Sequence, residues 1–195
     1  MSQPIDFYFD FSSPYGYLAA EQIDDLGARH GRAVTWRPML LGAVFATTGS
    51  QPLMNIPLKG DYARHDLARE ARRLDLPFRF PKPFPFMSVA ACRAFYWLHD
   101  QDPAMAVALA KALYREAFAG GRPIDSAEAV VGVAEAAALA PAGLAAALSE
   151  PLVKQRLREE VERAIAKGVF GSPFIVIDGE AFWGHDRLEQ VDLWL

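Results

Sequence analysis

The chain has 195 residues, 52% of them hydrophobic, which is ample for a packed core, yet no apolar run approaches the ~20 residues of a membrane span. A net charge of -4 without any run of lysine or arginine argues against a nucleic-acid footprint or a polybasic membrane patch and points to a small partner. The single cysteine, Cys92, excludes an intramolecular disulfide, a CxxC redox pair and a cysteine-built zinc site.

The first element is a strand. Ile5, Phe7 and Phe9 alternate with Asp6, Tyr8 and Asp10, the period of two that marks a buried strand. After Ser12-Ser13-Pro14 the period changes to 3.6, carried by Tyr15, Leu18, Ala19, Gln22, Ile23 and Leu26, which predicts one helix running toward a stop at Gly31. Pro14 suits the first helical position and makes Ser13 the N-cap, where an anion is favoured by unpaired N–H groups and the helix dipole. Ala33 to Arg37 is a second strand, giving a right-handed parallel crossover. The glycines, prolines and hydroxyl residues between Met39 and Gly60 predict a loop of the length usually kept for function.

The middle of the chain is helical and alanine-rich. One apolar stripe runs through Ala63, Leu67, Ala71 and Leu74; Leu76 to Phe86 then alternates prolines with aromatics and suits neither a helix interior nor a central strand. Its rings are expected to line or cover a substrate site, with core packing as the alternative. Ser88 starts a helix that carries Cys92, read as a small buried hydrophobe. Asp102-Pro103 starts the next, Gly120-Gly121 closes it, Asp125 or Ser126 caps another, Pro141 opens a short one and Pro151 a longer one. Phe174 to Ile177 and Glu180 to Trp183 form a hairpin across Asp178-Gly179, and a terminal helix begins at His185-Asp186. His30, His65 and His99 have no partners at metal-ligand spacing. The start of the chain has none of the marks of a signal peptide, so a cytoplasmic location is expected.

Three motifs carry a resemblance. The element order, with Ser13-Pro14 at the first helix and Gly171-Ser172-Pro173 before the third strand, resembles the thioredoxin superfamily with the helical insertion of the disulfide oxidoreductases. That implies an α/β fold in which residues 1–60 and 151–195 form a thioredoxin-like domain around an inserted all-helical domain, 61–150, with Pro173 cis. Ser13, Pro14, Tyr15 and Gly16 stand where the redox motif has its two cysteines, so disulfide exchange, which needs an attacking thiolate, is excluded there. Together, Asp10 to Tyr15, Phe170 to Pro173 and Trp183 to Leu188 resemble the 2-hydroxychromene-2-carboxylate isomerases and the kappa-class glutathione transferases, over nearly the whole chain.

The resemblance implies glutathione as cofactor, a homodimer, and a small aromatic substrate. Ser13 would contact the glutathione sulfur, the backbone at Ser172-Pro173 would pair with the cysteinyl backbone, and His185 and Asp186 would hold the γ-glutamyl end. Lys59 would meet the glycyl or substrate side. Ser50 stands where the family often has Asn, and His185 where Asn or Ser is common. Asp186 has the alternative role of a helix cap, and Lys59 that of a solvated loop lysine. The implied reaction is the glutathione-dependent isomerisation of 2-hydroxychromene-2-carboxylate to trans-o-hydroxybenzylidenepyruvate. A kappa-like transferase that conjugates glutathione to an electrophile, and a non-catalytic glutathione- or peptide-binding module, are the alternatives.

Overall fold

A computed structural model describes residues 3–195. Its centre is β1 (Ile5–Phe9), the second strand of a four-stranded mixed sheet of order β2-β1-β3-β4. β1 runs parallel to β2 (Val34–Pro38), with Ile5 opposite Val34 and Phe9 opposite Pro38, and antiparallel to β3 (Phe174–Ile177), with Phe7 opposite Ile175. β4 (Glu180–Trp183) closes the hairpin across Asp178 and Gly179, both at positive φ, the backbone that an Asp-Gly turn supplies most readily.

The period-two reading of β1 holds on one face: Phe7 and Phe9 stack 5.1 Å apart, and Trp36 meets both edge-on. Tyr8, on the other face, is also buried, because the Arg37 guanidinium lies over its ring while pairing with Asp6 at 2.8 Å.

Two elements differ from the sequence expectation. The first helix is two: α1 (Pro14–Ala20) and α2 (Ile23–Arg29). Gln22 causes the break, since its side-chain amide donates to the Leu18 carbonyl at 2.7 Å, the acceptor that a continuous helix would reserve for the Gln22 backbone N–H. The backbone N–H turns instead to Ala19. With seven residues, α1 also brings a smaller dipole to Ser13 than one long helix would. The second difference is in the expected 39–60 loop, which contains α3 (Leu41–Thr48) and a 3-10 turn (Leu53–Asn55). Leu40, at the N-cap, makes no side-chain capping bond; the cap comes from Asp10, whose carboxylate accepts the Leu41 N–H at 2.6 Å. A cap supplied 31 residues away leaves no local signature.

The helices α4 (Lys59–Arg73), α5 (Val89–His99), α6 (Pro103–Phe118), α7 (Ala127–Ala136), α8 (Leu144–Ala147) and α9 (Pro151–Ala166) follow. Asp102 and Ser126 cap α6 and α7 through the N–H groups of Met105 and Ala129, as their positions suggest. The short α8 starts after Gly143 rather than at Pro141. α6 packs on α5, α7 and α1, which joins the helical block to the first turn after β1. A 3-10 turn (His185–Arg187) leads into α10 (Leu188–Trp194). Cys92 is fully buried, and burial pushes its thiol pKa well up.

The proline-rich segment has neither helix nor strand, and its rings gather on one residue of α6. Phe78, Phe84 and Phe86 lie 6.1 Å from Phe118, with Tyr17 of α1 at 5.8 Å. Phe86 is buried, while Phe78, Phe80 and Phe84 are partly exposed. Packing therefore covers most of each of those three rings and leaves a minor part exposed. Because Phe118 is the shared neighbour, Phe118→Ala is expected to cost about 3–5 kcal/mol in urea unfolding and to open residues 76–86 to proteolysis. A loss below about 1 kcal/mol would mean the rings hold one another without α6.

Candidate active site

Ser13 sits where β1 gives way to α1. Its backbone is extended, Pro14 takes the first helical position, and Oγ accepts the Gly16 N–H at 3.0 Å, as an N-cap does. The hydroxyl proton goes elsewhere: Oγ donates to the backbone carbonyl of Ser172 at 2.9 Å. Two sequence-predicted residues, far apart in the chain, are thus in direct contact. Ser172 precedes a cis bond to Pro173, and β3 starts only at Phe174, so the Ser172 peptide lies just outside the sheet ladder. Its N–H has no protein acceptor among the described residues, and its carbonyl has only Ser13.

Asp10 holds this arrangement from beneath. The residue is 2% exposed, and Oδ1 accepts from the Ser12 N–H at 2.8 Å, the Ser12 hydroxyl at 2.9 Å and the Ser88 hydroxyl at 2.7 Å, while Oδ2 accepts from the Leu41 N–H. Its backbone is equally committed: the N–H donates to Ser172 Oγ at 2.9 Å, and the carbonyl accepts the Tyr114 hydroxyl at 2.9 Å and the Ser13 N–H at 2.8 Å. Burial, with the Asp10 charge nearby, pushes the Tyr114 pKa far up, so the phenol remains a donor. One residue therefore fixes the starts of α1, α3 and α5 and the loop before β3. Asp10, Ser88 and Tyr114 were not singled out as site residues from sequence. The available signal was an acid two residues before a serine, an Asx-turn pattern, and it gives only the local bond to Ser12.

Gly16 occupies the place of the second thiol of the redox motif. A Cβ there would stand 2.5 Å from the Tyr114 hydroxyl, 3.0 Å from Ser172 Oγ and 3.2 Å from Ser13 Cβ. The space a second cysteine needs is filled by a tyrosine.

On the far side of Ser13, Tyr15 stacks on the His185 ring at 5.1 Å and 21°, and its hydroxyl donates to Asp66 of α4 at 2.8 Å. His185 is buried with Nε2 3.3 Å from Glu70, also on α4. Burial pushes the Glu70 pKa up, but the hydrogen bonds and charges of Arg73 and His185 outweigh it and hold it below the usual carboxylate value. These contacts tie α1, α4 and the 3-10 turn together. Asp186, the next residue, is half exposed; its one ionic partner among the described residues is Arg187 at 3.5 Å, and it makes no capping bond to α10, whose N-cap is Arg187. Lys59 is the exposed first residue of α4 and has no ion-pair partner among the described residues. Ser50 is exposed just beyond α3, and no hydrogen bond links it or Lys59 to Ser13.

Residues 4–194 match the DSBA-like thioredoxin domain family. The chain belongs to that family. It is 34% identical over 197 residues to a 2-hydroxychromene-2-carboxylate isomerase of Sphingobium xenophagum, covering 100% of this chain and 99% of that one. It is also 26% identical to human glutathione S-transferase kappa 1, over 97% of this chain and 89% of the relative. Among solved structures, a 2-hydroxychromene-2-carboxylate isomerase superposes with a TM-score of 0.88 at 27% identity, over 98% of this chain and 94% of that one. A probable DsbA oxidoreductase from Streptomyces coelicolor, at 20% identity and TM-score 0.75, shares the fold.

The crowding at Gly16 has a direct test. Gly16→Ala is expected to lose about 1–3 kcal/mol of stability by overpacking, and Tyr114→Phe in the same chain should recover part of that loss by removing the contacted oxygen. Strictly additive losses in the double variant would show that Tyr114 is not what fills the space.

Proposed function

We propose that this protein is a glutathione-dependent cis-trans isomerase acting on 2-hydroxychromene-2-carboxylate or a similar aromatic-derived pyruvate. The observation that carries the reading is the pairing of Ser13 with Ser172: a hydroxyl proton beside an unpaired backbone N–H, in a fold whose redox thiols are replaced by serine and glycine. Peptide backbones pair with such an open edge, and the chain offers it next to the hydroxyl.

The residues fit the tripeptide. The Ser172 N–H and carbonyl suit the two sides of the cysteinyl residue, Ser13 Oγ suits its sulfur, Asp186 suits the γ-glutamyl ammonium, and Lys59, without an internal acid, suits the glycyl carboxylate or the substrate's own. Pro173 keeps the Ser172 peptide out of the ladder. His185 holds the turn that presents Asp186, stacked on Tyr15. Ser50, exposed and shorter than the Asn that the family often has there, would reach glutathione through a bridging water. Bound glutathione supplies a thiolate nucleophile whose reversible addition to a conjugated double bond turns it into a rotatable single bond. The protein's part is to donate the Ser13 proton to that sulfur, a hydrogen bond to the charged form that favours ionisation. The exposed parts of Phe78, Phe80 and Phe84 would shelter an aromatic ring.

Turnover of 2-hydroxychromene-2-carboxylate is expected to require glutathione and to return it unchanged. A stable thioether accumulating instead would identify a transferase, and binding without turnover a passive module. Ser13→Ala is expected to fold with about 1 kcal/mol of lost cap and to slow turnover at saturating glutathione at least tenfold. Asp186→Asn removes a charge and no capping bond, so calorimetry should show glutathione affinity falling about tenfold with the melting temperature unchanged. Unchanged affinity with a lowered melting temperature would remove Asp186 from the site.

A further inference from the structure

The Ser13 hydroxyl has one proton, and that proton is already committed within the protein. Oγ receives the Gly16 N–H at 3.0 Å and gives its own proton to the Ser172 carbonyl at 2.9 Å. It cannot give the same proton to a sulfur. Turning it away would strip the carbonyl of its one protein hydrogen bond in a partly buried position, since no other protein donor among the described residues reaches that oxygen. Ser13 itself has no other freedom: its backbone N–H is held by the Asp10 carbonyl, and the side chain is 5% exposed.

A second donor on the Ser172 carbonyl removes that cost. The peptide is arranged to receive one, because its N–H is unpaired and its carbonyl is presented next to it outside the sheet. An extended peptide laid antiparallel along Ser172 accepts from that N–H and donates its own N–H to that carbonyl. We propose that Ser13 is released to a thiol only when a ligand backbone N–H takes its place on the Ser172 carbonyl. The site then activates thiols carried on an extended peptide backbone, and leaves thiols without a neighbouring amide N–H un-ionised even when they occupy the same place. The thiol proton leaves to water, the Ser13 proton moves from a carbonyl to a thiolate acceptor, and the ligand N–H fills the position left behind. This rests on the assignment of Ser13 and glutathione made above and adds which part of glutathione turns the hydroxyl.

The test compares glutathione with its depsipeptide analogue, in which an ester oxygen replaces the cysteinyl amide N–H at nearly constant shape. With each at saturation on the intact protein, thiolate absorbance near 240 nm is followed against pH. Bound glutathione is expected to ionise about one pH unit or more below the ~8.5 of a free thiol, and the bound ester within about 0.3 of its own free value. Equal lowering of both overturns the inference while leaving glutathione activation by Ser13 intact. No lowering for glutathione itself overturns that activation, and this inference with it. A crystal structure of the glutathione complex reads the same point without the ester: the Ser13 Oγ to Ser172 carbonyl separation is expected to open beyond 3.5 Å with the cysteinyl N–H on the carbonyl. Persistence of the 2.9 Å bond in the complex would also overturn the inference.

Discussion

A buried carboxylate with four donors around it is the constraint on which the site depends. Asp10 is nearly inaccessible, and a charge in such a place is tolerable only when its oxygens are fully hydrogen-bonded. Meeting that requirement draws in Ser12 from its own turn, Leu41 from the start of α3 and Ser88 from the start of α5. Each is at or beside the beginning of a helix, so satisfying one charge aligns three helix starts at one end of β1. Tyr114 and Ser172 are then fixed by the Asp10 backbone, and Ser13 by both. The fold places the Ser13 hydroxyl by solving an electrostatic problem three residues upstream of it.

The same economy shows at Gly16, which stands at the second cysteine position of the redox motif. Losing two thiols would leave a gap at Gly16, and the Tyr114 hydroxyl fills it while remaining bonded to the Asp10 carbonyl. Disulfide chemistry is closed off by shape as well as by composition. What stays open is the Ser172 peptide, whose free N–H is the kind of strand edge that proteins ordinarily cover. The Tyr15, His185, Glu70 and Asp66 contacts brace the other flank, so that Asp186 and the start of α4 are held on one frame.

Much of this was legible in the sequence where the signal is local. Ser13 as N-cap, the Asp178-Gly179 hairpin, the strand pattern of residues 5–9 and the caps at Asp102 and Ser126 each rest on a few adjacent residues. What was not legible is set by distant partners. The break at Gln22 depends on which donor wins the Leu18 carbonyl, and α3 depends on a cap from another element. Asp10 looked like the polar member of an alternating strand, and nothing in its neighbours announces burial among Leu41, Ser88 and Tyr114. The spans of the thioredoxin-like part and its helical insertion, 1–60 with 151–195 and 61–150, are proposed on the family resemblance; α9 against α5, α6 against α1 and α4 against the 3-10 turn at Leu53–Asn55 all cross that boundary.

Asp10→Asn tests the central claim most directly, because no orientation of the amide suits the site. An NH2 group at one oxygen position faces the Leu41 N–H, and at the other the Ser12 N–H, and neither backbone donor can turn away. Urea unfolding of this variant, read together with glutathione binding to the fraction that folds, is expected to show about 2–3 kcal/mol of lost stability and at least tenfold weaker binding. A variant as stable as the parent, binding glutathione as tightly, would show that Asp10 does not organise the site.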